Sequence, residues 1–310
     1  MTATKSTSAI LIMGATAAGK TDLALQLSSY LPIEIISVDA TAVYKGLDIG
    51  SAKPNKKELA TCPHHLIDIK SPLESYSVAQ FFNHTQQLII AINNRNKIPV
   101  LVGGTMMYYH AIINGLHQLP SDHNIKSKLL ADADAYSLDY LYQQLKSIDP
   151  ESASNISSND KQRVIRKLEL CLLLNAPISQ WLKQKPTTYQ LDNCNLLKFI
   201  IKPEDRNLLY YQAEERFEKM IANGLIKEVS NLCKLYPQLN LNYNSIRSVG
   251  YKQVWQFLNN ELSYQDMINK AKTATKNLVK RQYTWLKNFE GEIIISVDQI
   301  VKRIIANKKL

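Results

Sequence analysis

Residues 14–21, Gly14-Ala15-Thr16-Ala17-Ala18-Gly19-Lys20-Thr21, fit the pattern G-x-x-x-x-G-K-[ST]. Backbone N–H groups of such a loop point inward and the following helix N-terminus adds partial positive charge, so together they cradle a di- or triphosphate. The expected phosphate contacts are Gly14, Thr16, Ala17, Ala18, Gly19, Lys20 and Thr21. Lys20 would neutralise oxygens, and the Thr21 hydroxyl would help to hold Mg²⁺, a hard cation that prefers oxygen ligands. Asp39 closes the run IEIISVD. A carboxylate there is either a Mg²⁺ ligand of an ATPase or a general base, and position alone leaves both open. Gly103-Gly104-Thr105 sets a hydroxyl directly after two residues that let backbone approach a ligand, or is merely a turn with Thr105 as helix N-cap.

Each group follows an apolar run. Residues 10–13, 33–38 and 98–102 read as strands, and 20–30 and 77–95 as helices, an alternation that implies a parallel sheet with helices on its faces. Ligands bind at the carboxyl ends of such strands. The fold expected is α/β, a P-loop NTPase-like parallel sheet with a helical insertion. After Leu119-Pro120-Ser121 the chain turns polar and helical, broken by IDPESASNISSND, Pro177 and Pro186, with no strand until about 195. LLKFII (196–201) and IIISV (293–297) read as further strands, and Arg206–Asn223 and Ser263–Asn288 as long helices. The expected division is a core of 1–119 with 196–310, and an insertion of 120–195.

At 310 residues the chain is long enough for a sizeable core in one elaborated domain or two, and 45% hydrophobic with 21% charged residues is globular composition. The apolar run near the N-terminus is too short for a signal-peptide core or a membrane span, so a cytoplasmic location and no membrane partner are expected. Four scattered cysteines, Cys62, Cys171, Cys194 and Cys233, lack C-x-x-C spacing and read as reduced, mostly core thiols. Residues 1–150 carry 12 basic and 12 acidic side chains, and residues 151–310 carry 25 and 15, so the whole net charge of +10 lies in the second half. A polyanion partner is the simplest reading, against a basic surface that merely aids solubility. Residues 267–289 hold six basic side chains and no acidic one, as a helix laid along a phosphate backbone would. In that segment Trp285 reads as core. In QRVIRK, Arg163, Arg166 and Lys167 share one helical face, opposite a core stripe of Val164, Leu168 and Leu172.

Further segments follow in order: SVDATAVYKGLDIGSAKP (37–54), HHLID (64–68), VGGTMMYY (102–109), QRVIRKLEL (162–170), RFEKMIANGL (216–225), SIRSVGYKQVW (245–255) and KNLVKRQYTWLK (276–287). Together with the loop they resemble the tRNA dimethylallyltransferase family, also called tRNA isopentenyltransferases, over residues 9–290. The resemblance implies transfer of a dimethylallyl group from dimethylallyl diphosphate to N6 of adenosine 37, beside the tRNA anticodon. The loop then holds a diphosphate that leaves. Asp39, Thr105 and Arg216 become the catalytic residues: Asp39 accepts the N6 proton, Thr105 orients the amine or the bridging oxygen, and Arg216 adds a forked contact to the diphosphate. The adenosine must be flipped out of its stack to reach them. The implied tRNA footprint comprises Asp39, Ala40, Thr41, Ala42 and Thr105, with Lys126, Gln162, Arg163, Arg166, Arg247, Gly250, Tyr251, Lys252, Lys280 and Arg281. No obligate protein partner is implied.

The chain departs from the family at several positions. Ala15 and Ala18 replace Pro and Ser in the loop, Ala40 follows the catalytic Asp where Ser is common, Gln212 replaces an arginine, and Lys126 keeps the charge of an arginine but loses its fork. His64-His65 lacks ligand partners at metal spacing and reads as structural. Rival functions are a small-molecule phosphotransferase or ATPase, which leaves the basic second half unexplained; an adenylate isopentenyltransferase, which needs no tRNA surface; and a catalytically silent RNA-binding module, which needs none of Lys20, Asp39 and Thr105.

Overall fold

The computed structural model describes residues 7–183, 190–191, 193–202, 205–294 and 296–306. In chain order the elements are β1 (Thr7–Gly14), α1 (Lys20–Leu27), β2 (Ile33–Val38), α2 (Lys56–Thr61), β3 (His64–His65), α3 (Val78–Asn94), β4 (Ile98–Gly103), α4 (Met106–Asn114), α5 (His123–Ala135), α6 (Leu138–Ile148), α7 (Pro150–Ser154), α8 (Lys161–Leu174), α9 (Ile178–Leu182), β5 (Cys194–Ile201), α10 (Arg206–Ala222), α11 (Leu225–Leu235), α12 (Tyr251–Leu258), α13 (Tyr264–Leu286), β6 (Glu292–Ile294) and α14 (Val297–Ala306). The described residues form two compact units, the chain passing from one to the other after residue 113 and back after residue 190.

The larger unit is built on a six-stranded sheet in the order β3-β2-β4-β1-β5-β6, every pairing parallel. With its phosphate loop after β1, it is P-loop NTPase-like. Seven of the eight β1 residues are buried, as a strand covered on both faces requires. Ile10, Ile12, Val100, Val102 and Phe199 form one core with Leu23, Ala24 and Leu27 of α1 and Ile300 of α14. α3 starts at a capping box, Ser77 accepting from the Gln80 N–H while Gln80 accepts from the Ser77 N–H. The smaller unit packs α5, α6, α8 and α9 around Leu129, Leu141, Leu145, Val164, Leu168 and Ile178.

Several sequence expectations are corrected. α1 stops at Leu27 rather than residue 30, because Pro32 forces Leu31 out of helical backbone and the chain must turn into β2. The last strand is shorter than 293–297: β6 ends at Ile294 and Val297 opens α14, while Ile295, like Pro186, lies outside the described residues. Leu172 is 49% exposed and leaves the core stripe of α8 to Cys171, because steps of four drift about 40° each from the helical repeat. Of the four cysteines, all free, Cys62 and Cys171 are buried and Cys194 and Cys233 only half-buried. His64 and His65 form the edge strand β3, with His65 Nε2 2.7 Å from the buried Glu34 carboxylate. Among the described residues no helix is long and apolar enough to cross a membrane.

Gly103 is required by close approach, since a Cβ there would fall on the Val38 carbonyl of β2. Gly103→Ala is therefore expected to destabilise the protein by about 3 kcal/mol, the upper end for overpacking, read as a lower urea midpoint at unchanged slope. An unchanged midpoint would show that β2 and β4 part there without cost.

Candidate active site

Strand register assembles the site. Val38 pairs with Gly103, and Gly103 with Met13, so one row crosses β2, β4 and β1 at their carboxyl edge. Of the next residues, Asp39 and Gly104 each open a loop there, and Gly14 ends β1. Two strand spacings set the backbones of Asp39 and Gly14 about 10 Å apart, which brings a carboxylate within side-chain reach of a ligand in the phosphate loop.

The loop has the backbone of an anion nest, with left-handed conformations at Ala17 (φ 67°) and Gly19 (φ 77°). An alanine held there costs about 1 kcal/mol, and the site retains that strain. No side chain caps α1, so its first-turn N–H groups are available to an anion. Two loop amides differ from expectation. The Thr16 N–H donates to Gln282 Oε1 at 2.8 Å, and the Ala18 N–H to the Ala15 carbonyl at 3.3 Å. Both are already engaged, because the loop folds on itself and against α13. The methyl groups of Ala15, Ala17 and Ala18 pack with Leu209 and Ala213 of α10 and Val279 and Tyr283 of α13.

Two cations converge on this loop. Lys20 Nζ is turned inward and donates to the Ala15 carbonyl at 2.6 Å. Its burial, then the charge of Arg216, push its pKa down to about 7 against the opposing pull of Asp39. Burial likewise lowers Arg216 from the usual guanidinium value, opposed by Asp39 and Asp22. Arg216 makes no ion pair among the described residues, and the two glutamates beside it are engaged elsewhere, Glu215 with Lys219 and Glu218 with Lys272. Arg216 is thus not a surface arginine paired along its own helix. A desolvated ammonium and guanidinium that make no ion pair among the described residues are costly, and a bound anion offsets that cost.

Asp39 follows the last residue of β2, and its charge acts on both cations. Its Oδ1 accepts from the Thr41 N–H at 2.7 Å and the Ala42 N–H at 3.1 Å, which fixes the carboxylate, while Oδ2 has no hydrogen-bond partner among the described residues. Thr105 joins the neighbouring loops: its N–H donates to the Val38 carbonyl and its Oγ1 accepts from the Ala40 N–H, both at 3.1 Å. Ala40, exposed, lies against Thr105 through that bond; Thr41 is half-buried and Ala42 buried. Behind them Tyr108 stacks on Phe81 with ring centroids 4.1 Å apart, and burial raises its phenol pKa.

Sequence reasoning missed Gln282, a buried polar residue of α13 that accepts from Thr16 and donates through Nε2 to the Gly104 carbonyl at 2.8 Å. The available signal was an uncharged polar residue between Val279 and Tyr283, both on the buried face of α13.

Mg²⁺ fits only as a companion of the ligand. Among the described residues no group of three or more His, Cys, Asp or Glu side chains could hold a metal. Thr21 is exposed in the first turn of α1, where its hydroxyl could join ligand and water oxygens around Mg²⁺, as is usual at phosphate sites.

The expected tRNA contacts divide by exposure. In the larger unit Arg247, Lys252, Lys280 and Arg281 are exposed. Gly250 and Tyr251 are buried, the Tyr251 hydroxyl donating to Glu228 at 2.6 Å, so Tyr251 offers no side chain to a ligand in this conformation. The same Glu228 accepts from the Ile49 N–H at 2.7 Å, which fastens the 48–50 segment to α11. The basic segment of α13 is less available than its composition suggests, because Lys272 and Lys276 form ion pairs with Glu218 and Glu214 of α10. Trp285 is not core: it is 38% exposed, edge-on to His110 at 5.7 Å. In the smaller unit Lys126, Gln162 and Arg163 are exposed, whereas Arg166 spends its guanidinium on the buried Glu169 at 2.8 Å and Lys167 Nζ reaches Ser152 Oγ at 3.2 Å.

Known proteins resemble this chain in sequence and fold. A tRNA dimethylallyltransferase of Chromobacterium violaceum is 43% identical over 284 residues, covering 91% of this chain and 87% of the relative. One of Neisseria meningitidis is 43% identical over 281 residues, covering 90% and 89%. The crystal structure of a tRNA isopentenylpyrophosphate transferase from Bacillus halodurans superposes with a TM-score of 0.67 at 33% identity, covering 98% of this chain and 97% of that one. A eukaryotic dimethylallyltransferase acting on tRNA superposes with a TM-score of 0.71 at 28% identity, covering 91% and 70%. The profile of the family described as IPP transferase matches residues 42–289, which contain Thr105 and Arg216. Since both sequence and fold agree over nearly the whole length, the chain belongs to the IPP transferase family.

Proposed function

We propose that this protein transfers the dimethylallyl group of dimethylallyl diphosphate to N6 of adenosine 37 of tRNA, releasing diphosphate. The observation that carries the reading is two desolvated cations, Lys20 and Arg216, that make no ion pair among the described residues, with a fixed carboxylate, Asp39, whose charge acts on both at one sheet edge. An allylic carbon becomes a stabilised cation as its bond to the diphosphate breaks, so catalysis consists mainly of neutralising charge on the departing oxygens. Lys20, Arg216 and the first-turn amides of α1 supply that charge. Mg²⁺, when bound with the diphosphate, would add to it through Thr21. The exocyclic amine is a weak nucleophile, so alignment and desolvation beside Asp39 matter more than strong basicity. Asp39 Oδ2 takes the N6 proton, and Thr105 Oγ1 orients the amine or the bridging oxygen. All these groups come from one chain. A tRNA-modifying enzyme of this kind works in the cytoplasm, with its substrate.

The test is mass spectrometry of an unmodified tRNA bearing adenosine 37 after incubation with the protein, Mg²⁺ and dimethylallyl diphosphate, with AMP as a competing acceptor. A gain of one C5H8 unit on adenosine 37 alone supports the reading. Gain on AMP would make the enzyme a free-nucleotide prenyltransferase. No gain on either, with phosphate released from ATP, would assign the loop to phosphoryl chemistry.

Electrostatic docking of tRNA on the smaller unit is tested by Lys126→Ala with Arg163→Ala, two exposed cations whose removal leaves the buried Glu169 paired. The slope of log affinity against log salt is expected to flatten by about one for each phosphate no longer neutralised, with transfer from bound complex unchanged. An unchanged slope would move the footprint away from these residues.

A further inference from the structure

We propose that Gln282 is the positioning residue that couples the diphosphate cradle to the acceptor side of the site, setting the separation of donor carbon and acceptor nitrogen. The inference rests on the function proposed above. Its amide is buried and ties two loops that share no other side-chain bridge among the described residues: the Thr16 N–H after β1 donates to Oε1, and Nε2 donates to the Gly104 carbonyl after β4. Only one orientation of the amide satisfies both partners, because Thr16 offers a donor and Gly104 an acceptor.

The tie continues on the far side. Thr105, next to Gly104, accepts from the Ala40 N–H, and Asp39, next to Ala40, is fixed by the Thr41 and Ala42 N–H groups. A continuous path of hydrogen bonds and single peptide steps therefore runs from the loop that holds the leaving group to the base that takes the proton, and Gln282 is its side-chain member from outside the sheet. Space confirms the fit, since a Cβ on Gly104 would stand 2.6 Å from Gln282 Nε2. The helix carrying Gln282 also packs Val279 and Tyr283 against Ala15, so the amide is set by a rigid element. Transfer between two substrates depends on their mutual placement, whereas binding of either one alone does not.

The experiment compares the native protein, Gln282→Leu and Gln282→Glu in dimethylallyl transfer to tRNA, together with the KM for dimethylallyl diphosphate and the Kd for tRNA. Leucine removes both bonds at similar volume and is expected to lower kcat about 100-fold, with KM and Kd within about threefold. Glutamate accepts from Thr16 in either protonation state but donates to Gly104 only when protonated. Its kcat relative to native is expected to rise as pH falls and the carboxyl takes up a proton, burial raising its pKa and the charges of Lys20 and Arg216 at the same loop opposing that rise. A Gln282→Leu protein with native kcat, a defect confined to KM, or a Gln282→Glu ratio flat with pH would each overturn the proposal. A native protein that transfers nothing in the same assay would instead overturn the function on which it rests.

Discussion

Asp39→Asn is expected to lower the rate of transfer by about 10²- to 10⁴-fold, the range for loss of a general base, while tRNA affinity stays within about twofold. Asparagine is the informative replacement because the native carboxylate has two tasks. Oδ1 accepts the Thr41 and Ala42 N–H groups and so shapes the 40–42 turn, and an asparagine oxygen can accept both bonds unchanged. What disappears is the negative charge and the proton-accepting Oδ2. Alanine would remove both tasks and blur them, since two backbone donors would lose their partner. Single-turnover transfer from preformed complex, with tRNA binding measured in parallel, separates the two. Full activity of bound Asp39→Asn would end the base assignment and leave Asp39 as a turn-forming residue.

Lys20→Met is expected to cost about 10²- to 10³-fold in transfer, the effect of losing one preorganised charge at a leaving group, and at the same time to stabilise the fold. The second effect follows from the depressed pKa of about 7. Below that pH the lysine is charged both folded and unfolded, and the native state bears the whole cost of burying an ammonium beside Arg216. Between about pH 7 and the unfolded value near 10.5 the unfolded chain holds more protons than the native one, so native stability rises with pH. The gain in melting temperature of Lys20→Met over native should therefore be largest below pH 7 and fade towards pH 10.5. Added inorganic diphosphate should reverse the order, stabilising the native protein and not the variant. A variant less stable than native at every pH would mean that Lys20 is held by compensating contacts and carries no strain for the ligand to relieve.

The residues in these experiments differ in how far the sequence revealed them. The phosphate loop was legible because its determinants are local: an apolar strand, small residues able to adopt left-handed backbone at 17 and 19, and a helix start within eight positions. Asp39 and Thr105 were legible as strand ends, but their roles came from the resemblance, since a carboxylate at a strand end suits a metal ligand as well as a base. Arg216 shows the opposite case. By local spacing it looks like one partner of a surface ion pair, and only packing shows its neighbours Glu215 and Glu218 taken by Lys219 and Lys272.

What the sequence by itself determined is therefore whatever a few consecutive residues impose: the order of strands and helices, the anion-binding turn, and the excess of positive charge in the second half. Tertiary structure decided how those charges and polar groups are spent. Lys272 and Lys276 are paired to α10, Arg166 to Glu169, and Tyr251 is sealed against Glu228, because helix packing places opposite charges and apolar rings together irrespective of their distance along the chain. Gln282 lies 266 positions from Thr16, and no local pattern links the two. Only the closing of α13 over the loop brings its amide to the Thr16 N–H, where burial makes that bond costly to leave unmade.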